Sequence, residues 1–269
     1  MDKEALRCAI TRSGGGQNPI NEIDTFLPRI ELLQQAGRYS LLLSQLFAAN
    51  DKSNFLALIL EVNFAYQFES RGLALTYEVK QAPEHKSSID FLRVLPSGDH
   101  VYLEVRLLQE GQSVHGDQDA IIRIQSAILS KVQNANGAPT KFLSTAANAV
   151  NIVVIDASSS ISGMLDFPDC VLATNGDPHV EEVFRRGLFG IFQEDRPAYP
   201  EHIHTLAAKY ERVRQTLHGV LFLFRPDTEL LAYQIEQYLI WNPTLVERQR
   251  AGYIYEDVST ALPFHTDPD

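Results

Sequence analysis

Cysteine is nearly absent from this chain. Cys8 and Cys170 are the only two in 269 residues, too few for a disulfide framework, so a reducing, cytoplasmic location is the default expectation. Long apolar runs are missing as well. No stretch reaches the roughly 20 residues of a membrane-spanning helix, and the polar opening Met1-Asp2-Lys3-Glu4 does not read as a signal peptide, so no membrane partner is expected. Basic residues are outnumbered, 23 Lys plus Arg against 34 Asp plus Glu, for a net charge of −11. That balance argues against a protein that grips nucleic acid over a broad basic surface. Gly14-Gly15-Gly16 lacks the Gly-Lys-Ser/Thr ending of a phosphate loop, His100, His115 and His179 show no partners for a nucleophile triad, and His202-Ile203-His204 diverge on an expected helix.

What is present is a 45% hydrophobic composition, enough to bury a sizeable core. Asp51–Ser70 predicts a helix by length and apolar content, with Lys52, Asn63, Gln67 and Ser70 on a solvent side and Glu61 opposite, among Ala57, Leu58, Phe64 and Ala65. A second helix, about Gln118–Ala135, sets Gln125 among Ile121, Ile122, Ile128, Leu129 and Val132. A carboxylate placed toward a core takes up a proton or finds a cation.

Between the helices lie three expected strands, Leu73–Lys80, Ser88–Val94 and His100–Leu107, separated by turn-forming segments that include Pro96-Ser97-Gly98-Asp99. In the third, Val101, Leu103, Val105 and Leu107 alternate with Tyr102, Glu104 and Arg106. Antiparallel pairing across the turn brings Asp90 and Glu104 together, close enough to share a ligand. The plain alternative is a solvent-facing pair bridged to Arg93 and Arg106.

The order is helix with Glu61, strand, strand with Asp90, strand with Glu104-Val105-Arg106, helix with Gln125, and an apolar strand at Ala149–Asp156. It resembles the PD-(D/E)XK nuclease superfamily, the fold of many restriction endonucleases, over about Asp51 to Ala157. The resemblance implies an α/β fold: a restriction-endonuclease-like αβββαβ core with a mixed sheet, a helical addition at the N-terminus and a C-terminal extension. It also implies Asp90 and Glu104 as ligands of Mg²⁺ or Mn²⁺ with Glu61 helping to place metal or water, Arg106 and Gln125 as further site residues, and phosphodiester hydrolysis in nucleic acid, DNA ahead of RNA. Arg106 stands where the pattern has lysine. Arginine stays protonated and cannot take a proton from water, though its planar donors suit phosphate oxygens. A displaced lysine, Lys131, Lys80 or Lys86, is the expected substitute. The competing expectation is a nuclease fold without catalysis that serves as a binding or scaffold subunit, with a homodimer or partner subunit supplying nucleic-acid contacts.

The remaining divisions follow from patterning. Residues 1–50 are a loose tail followed by two helices that break near Gly37, 51–225 form the core, and 226–269 form an extension packed on it. Ala149–Asp156 and Gly219–Phe224 read as buried strands, Asp169–Ala173 as another, and 179–189 and 201–217 as helices; Leu231–Ile240 extends or covers the sheet edge. Ser158-Ser159-Ser160 reads as a plain loop, ahead of an anion site built from its hydroxyls and backbone amides.

Overall fold

The computed structural model describes residues 3–13, 20–108, 117–143, 146–156, 167–176, 187–189, 211–224 and 236–261. Gly14–Gly16, His115, Ser158–Ser160, His179 and His202–His204 lie outside them, as does most of the expected helix over 179–189. Of the expected helix over 201–217, residues 211–216 are described and are helical.

The chain is α/β, with six strands in one mixed sheet. Helices α1 (Lys3–Arg12), α2 (Ile20–Ala36), α3 (Ser40–Ala48) and α4 (Lys52–Glu69) come first, followed by strands β1 (Thr76–Val79), β2 (Ile89–Val94) and β3 (His100–Leu107). Then come α5 (Asp117–Val132), β4 (Ala149–Asp156), α6 (Phe167–Thr174), β5 (Gly219–Phe224), β6 (Glu236–Trp241) and a last helix, α7 (Arg248–Ala261). The strands lie in chain order across the sheet. β1, β2 and β3 form an antiparallel meander, β3, β4 and β5 run parallel, and β6 returns antiparallel on β5. No described helix is long and apolar enough to cross a membrane.

Local chemistry fixes the elements that matter for the site. Asp51 caps α4, its carboxylate accepting from Asn54 N at 2.8 Å, and Gly72 ends it at φ 71°, where Leu73 N reaches back to Phe68 O at 3.0 Å. The β2–β3 hairpin turns on Gly98 at φ 87°, with Gly98 N bound to Leu95 O. Both glycines adopt a backbone that an L side chain resists.

Alternation along β3 splits the core in two. Val101, Leu103, Val105 and Leu107 pack with α4, the N-terminal helices and α7, whereas Tyr102 packs on the other side with α5, α6 and the apolar faces of β4 and β5. β4 is buried along its whole length, as its largely apolar sequence predicts, with Asn151 and Asp156 buried among the apolar residues. β6 extends the sheet edge, one of the two roles its sequence allowed.

Three expectations are corrected. Residues 3–12, read as part of a loose tail, form α1, which buries Leu6 and Ala9. Asp169–Ala173, read as a strand, lies inside α6; Pro168 and Asp169 suit a helix's first turn, and five apolar-rich residues cannot by themselves distinguish strand from helix. The side of α4 assigned to solvent is exposed at its ends, Lys52 and Ser70, but covered in between. Asn63 and Gln67 are buried, and Arg29 of α2 donates to Asn63 Oδ1 at 2.5 Å. The helix is therefore enclosed on both sides, by the sheet and by α2. At the opposite end of the chain, α7 docks through a bidentate pair from Arg93 to Asp257, at 3.0 and 2.8 Å, and through Arg250 to Asp99 at 2.8 Å.

A buried polar cluster joins the N-terminal ends of β4 and β5. Asn151 N donates to His218 Nδ1 at 3.1 Å, His218 N donates to Asn151 O at 2.8 Å, and Asn151 Nδ2 donates to Thr216 O at 2.9 Å. Burial and the nearby Arg250 guanidinium push the His218 pKa down to about 4. Its unfolded value is near 6.5, so between these pH values the unfolded chain binds the extra proton and stability falls as pH drops. The unfolding free energy of the wild type, from urea titrations, should fall from pH 6.5 to pH 4 by up to about 3 kcal/mol more than that of His218→Gln, which keeps an acceptor for Asn151. Parallel profiles for the two proteins would refute this.

Candidate active site

Asp90 and Glu104 face each other across the β2–β3 ladder. The registered pair Phe91↔Leu103 sets them opposite at the next position, with Asp90 N 3.4 Å from Glu104 Oε2. Asp90 Oδ2 accepts from Val105 N at 2.7 Å. Glu104 is 0% exposed and Asp90 8%. The solvent-facing alternative therefore fails. Arg93 is engaged with Asp257, and Arg106 is exposed with no hydrogen bond or ion pair among the described residues.

Two ammonium groups supply the compensation a fully buried carboxylate needs. Lys131, in the last turn of α5, forms a very short ion pair with Glu104 Oε1, and Lys141, from the loop between α5 and β4, lies 3.3 Å from the same oxygen. Lys141 also donates to Ser88 O at 2.9 Å, at the entry to β2. Burial alone would lower the Lys141 pKa, but the charges of Glu104 and Asp90 outweigh it and the net shift is upward.

Glu61 reaches the same neighbourhood from α4. Tyr77 of β1 donates to Glu61 Oε2 at 2.9 Å, and the same hydroxyl lies 2.7 Å from Gln45 Oε1 of α3, so one proton is shared between two acceptors. Burial, with the charge of Glu104 adding to it, pushes Glu61 up to about 7 against the opposing Tyr77 hydrogen bond and Lys131 charge. Asp90 is held well above the usual carboxylate range by burial, then by the charges of Glu104 and Glu61. Glu61 makes no direct hydrogen bond to either strand carboxylate among the described residues.

The backbone beside these groups is strained. Glu78, in β1 next to Tyr77, has φ 55°, in the left-handed region that L residues seldom adopt, and its carboxylate accepts a very short hydrogen bond from Ser88 Oγ. The β1–β2 register runs 76↔92, 77↔91, 79↔89 and skips the pair at Glu78 and Asp90. The distortion lies directly across from the strand aspartate. The segment after β1 is then pinned to the loop after α5, because Gln81 accepts from Leu143 N at 2.8 Å and donates to Asn151 Oδ1 at 2.7 Å.

Of the residues expected at the site, Asp90 and Glu104 are in hydrogen-bond contact, and Glu61 is close enough for their charges to act on it. Gln125 is elsewhere. Its amide donates to Ala173 O at 3.2 Å and ties α5 to α6. Lys131, six residues further along α5, makes the carboxylate contact. Lys141 was missed, since a lysine in a Gly-Ala-Pro-Thr-Lys loop carries no periodic signal; Tyr77 was missed as an ordinary strand aromatic.

Comparison with family models, curated proteins and solved structures finds no match to this chain.

Among the described residues, no group of three or more His, Cys, Asp or Glu side chains is arranged to hold a metal ion. Mg²⁺ does not require one, since it commonly uses one or two protein carboxylates and fills its remaining positions with water or phosphate oxygens. Asp90 and Glu104 fit that smaller demand. Asp90 Oδ1 makes no hydrogen bond among the described residues, and Glu104 Oε2 has only the long 3.4 Å contact to Asp90 N.

The raised Glu61 pKa has a stability consequence with a definite sign. The folded chain holds a proton that the unfolded one has released between about pH 4.5 and about pH 7, so wild-type stability falls as pH rises through that window. Glu61→Gln removes this cost. In thermal or urea unfolding it should be more stable than wild type at pH 8, by up to about 3 kcal/mol, with the gain gone below about pH 4.5. A destabilised variant at pH 8 would mean that the carboxylate is a needed structural acceptor.

Proposed function

We propose that this chain is a metal-dependent nuclease of the restriction-endonuclease-like type, with Lys131 supplying the lysine charge that the pattern puts at the position of Arg106. The observation that carries the reading is the Lys131 ammonium on Glu104, directly across a strand pair from Asp90. The order α4, β1, β2, β3, α5, β4 agrees with the αβββαβ arrangement that the sequence resembles. DNA, ahead of RNA, is the substrate class.

Mg²⁺ or Mn²⁺ held by Asp90 and Glu104 would supply a more acidic water and neutralise charge on the scissile phosphate. The chain's own groups do the rest. Lys131 sets a positive charge beside Glu104, where charge grows on the phosphate oxygens. Glu61, with its pKa near 7, suits the acceptance of a proton from the attacking water at neutral pH, and Tyr77 fixes the direction of its carboxylate. Burial of the cluster keeps competing solvent away and strengthens every charge interaction inside it.

A second reading has its own observation. Two lysines already balance Glu104, so the triad can persist as a closed structural ion pair, in a protein that binds nucleic acid or a partner without cutting.

Incubation with plasmid and oligonucleotide DNA and RNA separates the two. The nuclease should cut only with Mg²⁺ or Mn²⁺; Asp90→Ala and Glu104→Ala should lose at least about 100-fold, Lys131→Ala a comparable factor, and Arg106→Ala no more than a few-fold, in variants whose circular dichroism matches wild type. Full cleavage by Glu104→Ala, or no cleavage by wild type under any divalent ion, would overturn the assignment.

A further inference from the structure

The two lysines on Glu104 are not equivalent. Lys131 sits on a helix whose buried face is fixed by Ile121, Ile124, Ile128 and Val132, so its stem is held in place by the core. Lys141 sits on the loop that follows, which is anchored by the buried ring of Phe142 and by hydrogen bonds: Lys141 N to Lys131 O at 3.2 Å, Thr140 Oγ1 to Ser130 O at 3.0 Å, and Leu143 N to Gln81. Its ammonium spans from Glu104 to Ser88 O, at the junction of that loop with the segment leading into β2. It is the less deeply buried of the pair's contacts, with 27% of its side chain exposed against 17% for Lys131.

Both ammoniums meet the same oxygen of Glu104. Glu104 Oε2 stays open to a divalent ion, but two ammoniums held on the neighbouring oxygen repel that ion at short range. Formal charge makes the same point. Asp90 and Glu104 are balanced by Lys131 and Lys141; a divalent ion together with an ionised Glu61 leaves one positive charge in surplus, which the single negative charge of one phosphodiester cancels.

We propose that Lys141 is a second phosphate-contacting residue of this site, seated on Glu104 and passing from that carboxylate to the substrate phosphate when Asp90 and Glu104 take a divalent ion. The inference rests on the metal-nuclease reading and deepens it. It assigns Lys141 to substrate capture and gives the site a reason to favour metal and phosphodiester together over metal alone. Lys131 remains with Glu104 throughout.

The test uses the full-length protein and two independent readouts. The first is Mn²⁺ affinity without nucleic acid, measured by electron paramagnetic resonance of free Mn²⁺. Lys141→Met removes a competing cation and should bind Mn²⁺ several-fold more tightly than wild type, with Lys141→Arg close to wild type. The second is cleavage as a function of substrate and salt concentration. Lys141→Met should raise KM about tenfold with a smaller change in kcat, and should reduce the slope of log(kcat/KM) against log[salt] by about one phosphate contact.

A purely structural lysine predicts otherwise: unchanged or weaker Mn²⁺ binding and an unchanged salt slope. Either of those results, in a wild-type protein that binds Mn²⁺ and cuts, overturns the role of Lys141 and leaves the nuclease reading standing. A wild type that neither binds Mn²⁺ nor cuts removes both.

Discussion

A carboxylate with no exposure to water, in the third strand of a six-stranded sheet, sets the terms for everything around it. Left alone, Glu104 would carry a desolvation penalty of several kcal/mol. Two lysines offset it, one from the last turn of α5 and one from the loop that follows. The interaction thus fixes more than a charge. It specifies the rotation of α5 about its axis, the approach of the loop after α5, and through Ser88 and Gln81 the path of the chain between β1 and β2. A hydrophobic residue at position 104 would pack against the same helix without requiring any of these placements.

That arrangement is costly in the way functional sites are. Glu61 and Asp90 both hold protons above their ordinary range because burial and neighbouring carboxylates oppose ionisation, and Glu78 occupies a backbone region that costs on the order of 1 kcal/mol. The core on the α4 side offsets this with large buried side chains, including the contacting rings of Phe64, Phe68 and Phe91, with the half-buried ring of Tyr77 against Phe91. Tyr77 also carries the hydroxyl that holds Glu61 at the edge of that packing. The same packing that stabilises the fold raises the proton affinity of the acid at its edge.

The fold was legible wherever a period could be read. Alternation in His100–Leu107 separated Tyr102, Glu104 and Arg106 from the apolar face, and the turn at Ser97-Gly98 pointed to antiparallel pairing that could bring Asp90 and Glu104 close; the register, and which face meets α5, come from the structure. The α1 and α6 assignments failed on short segments whose patterns are ambiguous between structures. Asn63 and Gln67 misled for a different reason: polar residues at helical spacing read as a solvent face, but α2 brings Arg29 to one of them, a partner no local pattern contains. Gln125 was the reverse error. It is inward and polar, as read, but its inward direction is toward α6. On a helix, being buried and pointing at a particular strand are separate facts, and only the rotation of α5, known once Lys131 meets Glu104, distinguishes them.

The net charge of −11 needs to be weighed against distance. At physiological ionic strength a charge is screened beyond about 8 Å, so a phosphate at the site responds to the groups nearest it and only weakly to carboxylates spread over the rest of the surface. Nearest it stand Lys131 and Lys141, both mostly covered by protein, where screening is weaker than at the open surface. An acidic exterior does have one effect: it removes the general attraction for the nucleic-acid backbone that basic proteins enjoy. On the proposed nuclease reading, affinity would be concentrated at the reacting phosphate instead of along the strand. The groups that would recognise the substrate and those that would stabilise its transition state are then largely the same, and Glu104, which organises both lysines, would govern binding and chemistry together.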